Sequence, residues 1–130
     1  MSKLFQMAAM ILALTFFSSA YAADMTTVNA DVQSFMQELE QKNINLTPEQ
    51  KKSMESIMVD SVSARENVIK SHQGEKGVAV KKQMRNELQT INDKTQAEVK
   101  KVLNDQQYQA FLQVQEARQA KLRERINSEF

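Results

Sequence analysis

The 130-residue chain has no cysteine, one proline (Pro48), one histidine (His72) and two glycines (Gly74 and Gly77). Without cysteine, neither a disulfide nor a thiolate metal site can hold the fold, so stability has to come from packing. With so little glycine and proline, the backbone is free to be helical nearly everywhere except around those three positions. A lone histidine and no thiol rule out a Cys/His pair. A Ser/His/Asp arrangement would have to be built around His72 beside the Gly74 segment, so no enzymatic centre and no cofactor are expected. His72 reads instead as a solvent-facing residue in the last turn of a helix, where a partial positive charge is favourable. A zinc site needs about four ligands with nitrogen or sulfur prominent, and one histidine is too few.

What is present begins with a processing signal. Lys3 supplies a positive start, Leu4 to Phe17 an apolar stretch, and Ala20-Tyr21-Ala22 the small residues of a cleavage site. The apolar stretch carries Gln6 and Thr15 and is shorter than the roughly 20 residues that span a bilayer. Segment 1–22 is therefore expected to be a cleavable signal peptide that delivers the protein to the periplasm. No cysteine follows it to take a lipid, so no stable membrane anchor is expected after cleavage. One domain is expected in the remainder, with 23–28 a flexible N-terminus, 29–127 helical and 128–130 a tail.

Charge is distributed unevenly. Ala23 to Glu66 carries 8 acidic and 4 basic residues, while Asn67 to Phe130 carries 8 acidic and 12 basic. The sum is zero, without the basic excess that displaces counterions from phosphates, so nucleic acid is excluded as a partner.

The hydrophobic pattern is helical throughout. Val28, Val32, Phe35, Met36 and Leu39 share one face of a first helix that Asn43 and Asn45 close. Leu46-Thr47-Pro48-Glu49-Gln50 opens a second. There Thr47 caps the amide of Gln50, the Gln50 side chain returns to the Thr47 amide, and Pro48 occupies the first turn. Its stripe, Met54, Ile57, Met58, Ser61, Val62, Val68 and Ile69, is broken by Arg65 and ends near His72. From about Ala79, Val80, Met84, Leu88, Ile91, Thr95, Val99 and Val102 form a long, narrow seam suited to an antiparallel neighbour. A second start signal, Leu103-Asn104-Asp105-Gln106-Gln107, opens a fourth helix whose apolar face is Tyr108, Phe111, Leu112, Leu122 and Ile126. Leu103 and Tyr108 can meet there as a hydrophobic staple. The expected fold is all-α, four helices with antiparallel packing.

The two start signals carry a resemblance. Leu46, Thr47 and Gln50 match the LTxxQ motif in full, and Leu103 and Gln107 match a second copy in which Asn104 replaces threonine. On these residues the protein resembles the Spy/CpxP (LTxxQ-motif) family of periplasmic stress proteins, over about Leu39 to Ile126. The resemblance implies four helices in an elongated, hooked antiparallel hairpin, two copies of which pair into a homodimer shaped as a thin curved cradle that shields unfolded envelope proteins without ATP. For some members it implies an accessory regulator that docks on and inhibits the periplasmic domain of an envelope-stress sensor kinase.

The candidate client-binding surface is apolar and basic. Met36, Met54, Met58 and Met84 can adapt to varied partners, and Arg65, Lys81, Lys82, Arg85, Arg118, Lys121 and Arg125 can steer acidic segments. Met54 and Met58, one turn apart, also have the chemistry of soft copper ligands, although methionines so spaced on an apolar stripe are more often core. The zero net charge of residues 23–130 departs from the strongly positive concave surface that the resemblance implies.

Overall fold

The computed structural model describes residues 24–130; the signal segment 1–22 lies outside the described residues. Four helices follow in order: α1 (Met25–Glu40), α2 (Pro48–Ser71), α3 (Val78–Val102) and α4 (Asp105–Glu129). Among the described residues there is no strand, and no helix is long and apolar enough to cross a membrane.

The helix boundaries follow local chemistry. Asp24 caps α1, its carboxylate accepting from the Thr26 amide at 3.0 Å and the Thr27 hydroxyl at 3.1 Å. Those bonds, the Thr26 amide first, hold its pKa below the ordinary carboxylate value. Where a flexible 23–28 is expected, the cap starts the helix at Met25 and Val28 is already fully buried; Ala23 lies outside the described residues. Asn43 ends the turn after α1 with φ at 57°, a left-handed conformation that asparagine tolerates, and Ile44 plugs into the core behind it. Thr47 and Asn104 both form complete capping boxes, with Gln50 and Gln107 as the returning residues. Gly74 and Gly77 take φ of 86° and 120° in the α2–α3 turn. The supposed tail 128–130 is also corrected, because α4 runs to Glu129 and the Gly77 amide donates to the Phe130 carbonyl at 3.2 Å. Phe130 also packs against the core.

Sequential helices run antiparallel, as polar pairs on facing helices show: Ser61 with Thr95 between α2 and α3, and Gln96 with Gln115 between α3 and α4. α4 folds back far enough to reach α1 as well, so each helix packs its backbone closely against two others. Across the diagonal, α2 and α4 run parallel, since Gln50 meets Gln107 and Glu66 meets Arg125.

The core is divided. A larger cluster joins α1 to the first half of α2, the end of α3 and the first half of α4, around Phe35, Leu39, Met54, Val99 and Phe111. Phe35 and Phe111 pack tilted, with centroids 5.6 Å apart. A smaller one, Ile69, Met84, Leu88 and Ile126, fills the far end. The division follows from length. At about 1.5 Å per residue the 16-residue α1 reaches roughly 24 Å, against about 36 Å for the 24 residues of α2. α1 therefore covers only part of the groove between α2 and α4. Near the middle the interior turns polar, with Thr95 donating to Ser61 at 2.9 Å.

Candidate functional site

Where α1 lies across α2 and α4, a charged cleft of about 380 Å³ opens between the three helices. Asp31, Ser34 and Glu38 line it from α1, Arg65 and Glu66 from α2, and Arg118, Lys121 and Arg125 from α4; its apolar floor is Val62, Ile69 and Leu122. Each set arises from helical spacing, because steps of three and four residues put side chains on one face.

Arg118 organises the cleft. Its guanidinium donates to Asp31 at 2.8 Å, to the Ser34 hydroxyl at 2.9 Å and to both Glu38 oxygens at 3.3 Å. It also lies 5.4 Å from the centre of the Phe35 ring. With 17% of the side chain exposed, this planar donor fork is used where its geometry matters and ties α4 to α1. Arg125 pairs with Glu66 at 3.6 Å and Glu129 at 3.3 Å. Arg65 differs: it makes no hydrogen bond or ion pair within the described residues. Burial pushes its pKa below the ordinary guanidinium value; Asp31 opposes that shift, Arg118 adds to it and Glu66 opposes it.

The structure thus brings four of the expected basic residues, Arg65, Arg118, Lys121 and Arg125, into one cleft. Lys81, Lys82 and Arg85 sit apart on α3, where Lys81 reaches the Asn127 carbonyl at 3.5 Å and Arg85 borders a separate groove with Leu88 and Leu122. The four methionines are corrected. Met36, Met54 and Met58 are buried in the larger cluster and Met84 in the smaller, so in this structure they fill the core and present no surface. The periodicity that puts them on one face turns that face toward neighbouring helices. Asp31, Glu38 and Glu66, with the Ser34 hydroxyl, which the basic and apolar patterns do not single out, supply the acidic and polar half of the cleft. The signal for Asp31, Ser34 and Glu38 is a polar stripe along α1 beside the apolar one.

His72 is corrected too. It is only 6% exposed, with Nδ1 2.9 Å from Glu75 and Nε2 3.1 Å from Glu87. Hydrogen bonding to Glu75 raises its pKa, burial opposes this, and Glu87 adds to the rise. A solvent-facing role fails because Glu87, across the turn on α3, draws the ring inward.

The protein matches no family model, no curated protein and no solved structure. Its site has to be read from its own geometry. Among the described residues, no group of three or more histidine, aspartate or glutamate side chains is arranged to hold a metal ion.

The two capping boxes form the second organised feature, and they interlock. Gln50 Nε2 donates to Gln107 Oε1 at 2.8 Å and to the Val102 carbonyl at 3.1 Å. In return, Gln107 Nε2 donates to Gln50 Oε1 at 3.2 Å and to the Asn45 carbonyl at 3.1 Å. Each side-chain oxygen also accepts from its own cap amide at 3.0 Å, Thr47 for Gln50 and Asn104 for Gln107. Both carboxamides use all four of their hydrogen-bonding positions. Asn45 and Val102 each stand two residues before a cap, so the arrangement has a local twofold symmetry.

Proposed function

We propose that the protein is a periplasmic, ATP-independent, holdase-like chaperone of the Spy/CpxP type, delivered by a cleaved signal peptide and acting as a homodimer without cofactor or chemistry. The observation that carries this reading is the pair of capping boxes, Thr47 with Gln50 and Asn104 with Gln107, each opening a long helix. They are the residues on which the resemblance rests.

The cleft between α1, α2 and α4 supplies the client surface in this reading. Among the described residues, Met25 and Val78 are the large apolar side chains left exposed. Clients therefore engage mixed grooves rather than an open hydrophobic face: the charged cleft with its Val62, Ile69 and Leu122 floor, and the smaller groove of Ile57 and Ile91 between α2 and α3. Binding of this kind is weak and broad, as a holdase requires.

The test is suppression of aggregation of several unrelated denatured proteins by the purified protein near equal molar ratio, followed by light scattering. Suppression across the set is the expected result, and inertness toward all of them would overturn the proposal. Stoichiometric binding to a single sensor-kinase periplasmic domain, with no general suppression, would replace it with the regulatory role.

A further inference from the structure

Arg65 is the partly buried cation of the cleft whose donors meet no acceptor within the described residues. A guanidinium carries five N–H donors and stays charged, and those of Arg65 are open to the cleft rather than sealed in the core. Arg118, a neighbour in the same cleft, shows what pairing looks like, with Asp31, Ser34 and Glu38 filling its fork. The acidic side chains that could have served Arg65 are already engaged: Asp31 and Glu38 by Arg118, and Glu66 by Arg125. The lining has four cations against three carboxylates, and Glu129 beside it also meets Arg125. The three acidic walls favour a single negative charge over a dianion such as phosphate. Beside Arg65, Val62 and Leu122 offer an apolar surface for whatever carries the charge.

We infer that the cleft between α1, α2 and α4 is a binding subsite for a carboxylate attached to an apolar group, held by the Arg65 guanidinium over Val62 and Leu122. The polypeptide carrier rests on the chaperone reading, and the carboxylate is the free C-terminus of a polypeptide or an acidic side group flanked by apolar residues. The guanidinium that the protein leaves without an acceptor forms the paired donor contact with the carboxylate oxygens, and Lys121 stands at the rim.

The test is fluorescence anisotropy on the full-length protein with three labelled peptides: one ending in two leucines with a free C-terminus, its C-terminal amide, and the amide with one glutamate beside the leucines. At least one acidic peptide should bind about tenfold or more tighter than the plain amide, and which one does so identifies the source of the carboxylate. Arg65→Gln should erase that preference, while Arg85→Gln, outside the cleft on α3, should keep it. Charge-assisted hydrogen bonds of this type support a loss of about ten- to a hundredfold. Because Arg65 has no protein partner to lose, Arg65→Met should melt at the same temperature as the parent or higher. Equal binding of acids and amide, an unchanged preference in Arg65→Gln, or a lower melting temperature in Arg65→Met would each overturn the inference. The two readings also fail separately: aggregation suppressed without acid preference removes the subsite alone, and Arg65-dependent acid preference without suppression removes the chaperone role alone.

Discussion

At the end of the bundle where α1 turns into α2 and α3 into α4, the Gln50 and Gln107 carboxamides bind each other and both turns, next to the larger core cluster. At the opposite end α2 turns into α3 through two glycines of positive φ, over four buried apolar residues, and the polar closure is a single imidazole between Glu75 and Glu87. Both ends bury polar groups, but the first uses neutral amides with every position filled. The second uses a titratable ring whose full satisfaction requires a proton on each nitrogen. One end should be indifferent to pH and costly to disrupt, while the other should be pH-sensitive and less costly.

The largest effect should come from Gln107→Ala. It strips a partner from the Asn104 amide, the Asn45 carbonyl and Gln50 at once, and each buried group left unpaired costs about 1–3 kcal/mol. A loss of about 2–4 kcal/mol in urea unfolding is expected. Gln50→Ala should be non-additive with it by about 1 kcal/mol, as befits a shared network. Simple additivity would mean that the two boxes act alone.

At the other end, Gly77→Ala should cost about 1–3 kcal/mol for holding a side chain at a φ suited to glycine. A Cβ there would meet nothing within 4 Å, so the cost is conformational only. A melting temperature unchanged from the parent would show that the turn can relax.

The smallest effect is the pH dependence. The folded-state pKa of His72 is raised above its ordinary value of 6.5, so its contribution is fully present below that value and lost as pH rises through the folded value. Urea midpoints of the parent should therefore fall, relative to His72→Gln, as pH is raised from 6.5 into the alkaline range, with Glu87→Gln showing a reduced fall. A parent curve parallel to that of His72→Gln across this range would remove His72 as a proton-dependent contact.

How far the sequence discloses this molecule depends on the distance over which each signal acts. Thr47-Pro48-Glu49-Gln50 and Asn104-Asp105-Gln106-Gln107 are local capping patterns, and both boxes are where the pattern puts them. The apolar stripes likewise identify Phe35, Met54, Val99 and Phe111 as core. Asp24 is inconspicuous as a cap because a Thr-Thr pair separates it from the stripe that begins at Val28. His72 reads wrongly from sequence because its partner Glu87 lies 15 residues on, and nothing shows them facing each other until the α2–α3 register is fixed. The cleft is half legible. Arg65 stands out as a break in the α2 stripe, but that Asp31 and Glu38 spend their charge on Arg118 from α4 is a fact of tertiary geometry.

The crossed carboxamides have a mechanical consequence. The backbones of α2 and α4 do not come close along their lengths, yet both start from a common datum fixed by Gln50 and Gln107. For one to slide a single turn past the other, about 5.4 Å, the whole amide knot must come undone at once. The guanidinium groups of Arg65 and Arg118, strung along those two rods, are thereby held at set heights, as marks on two rulers pinned together at zero.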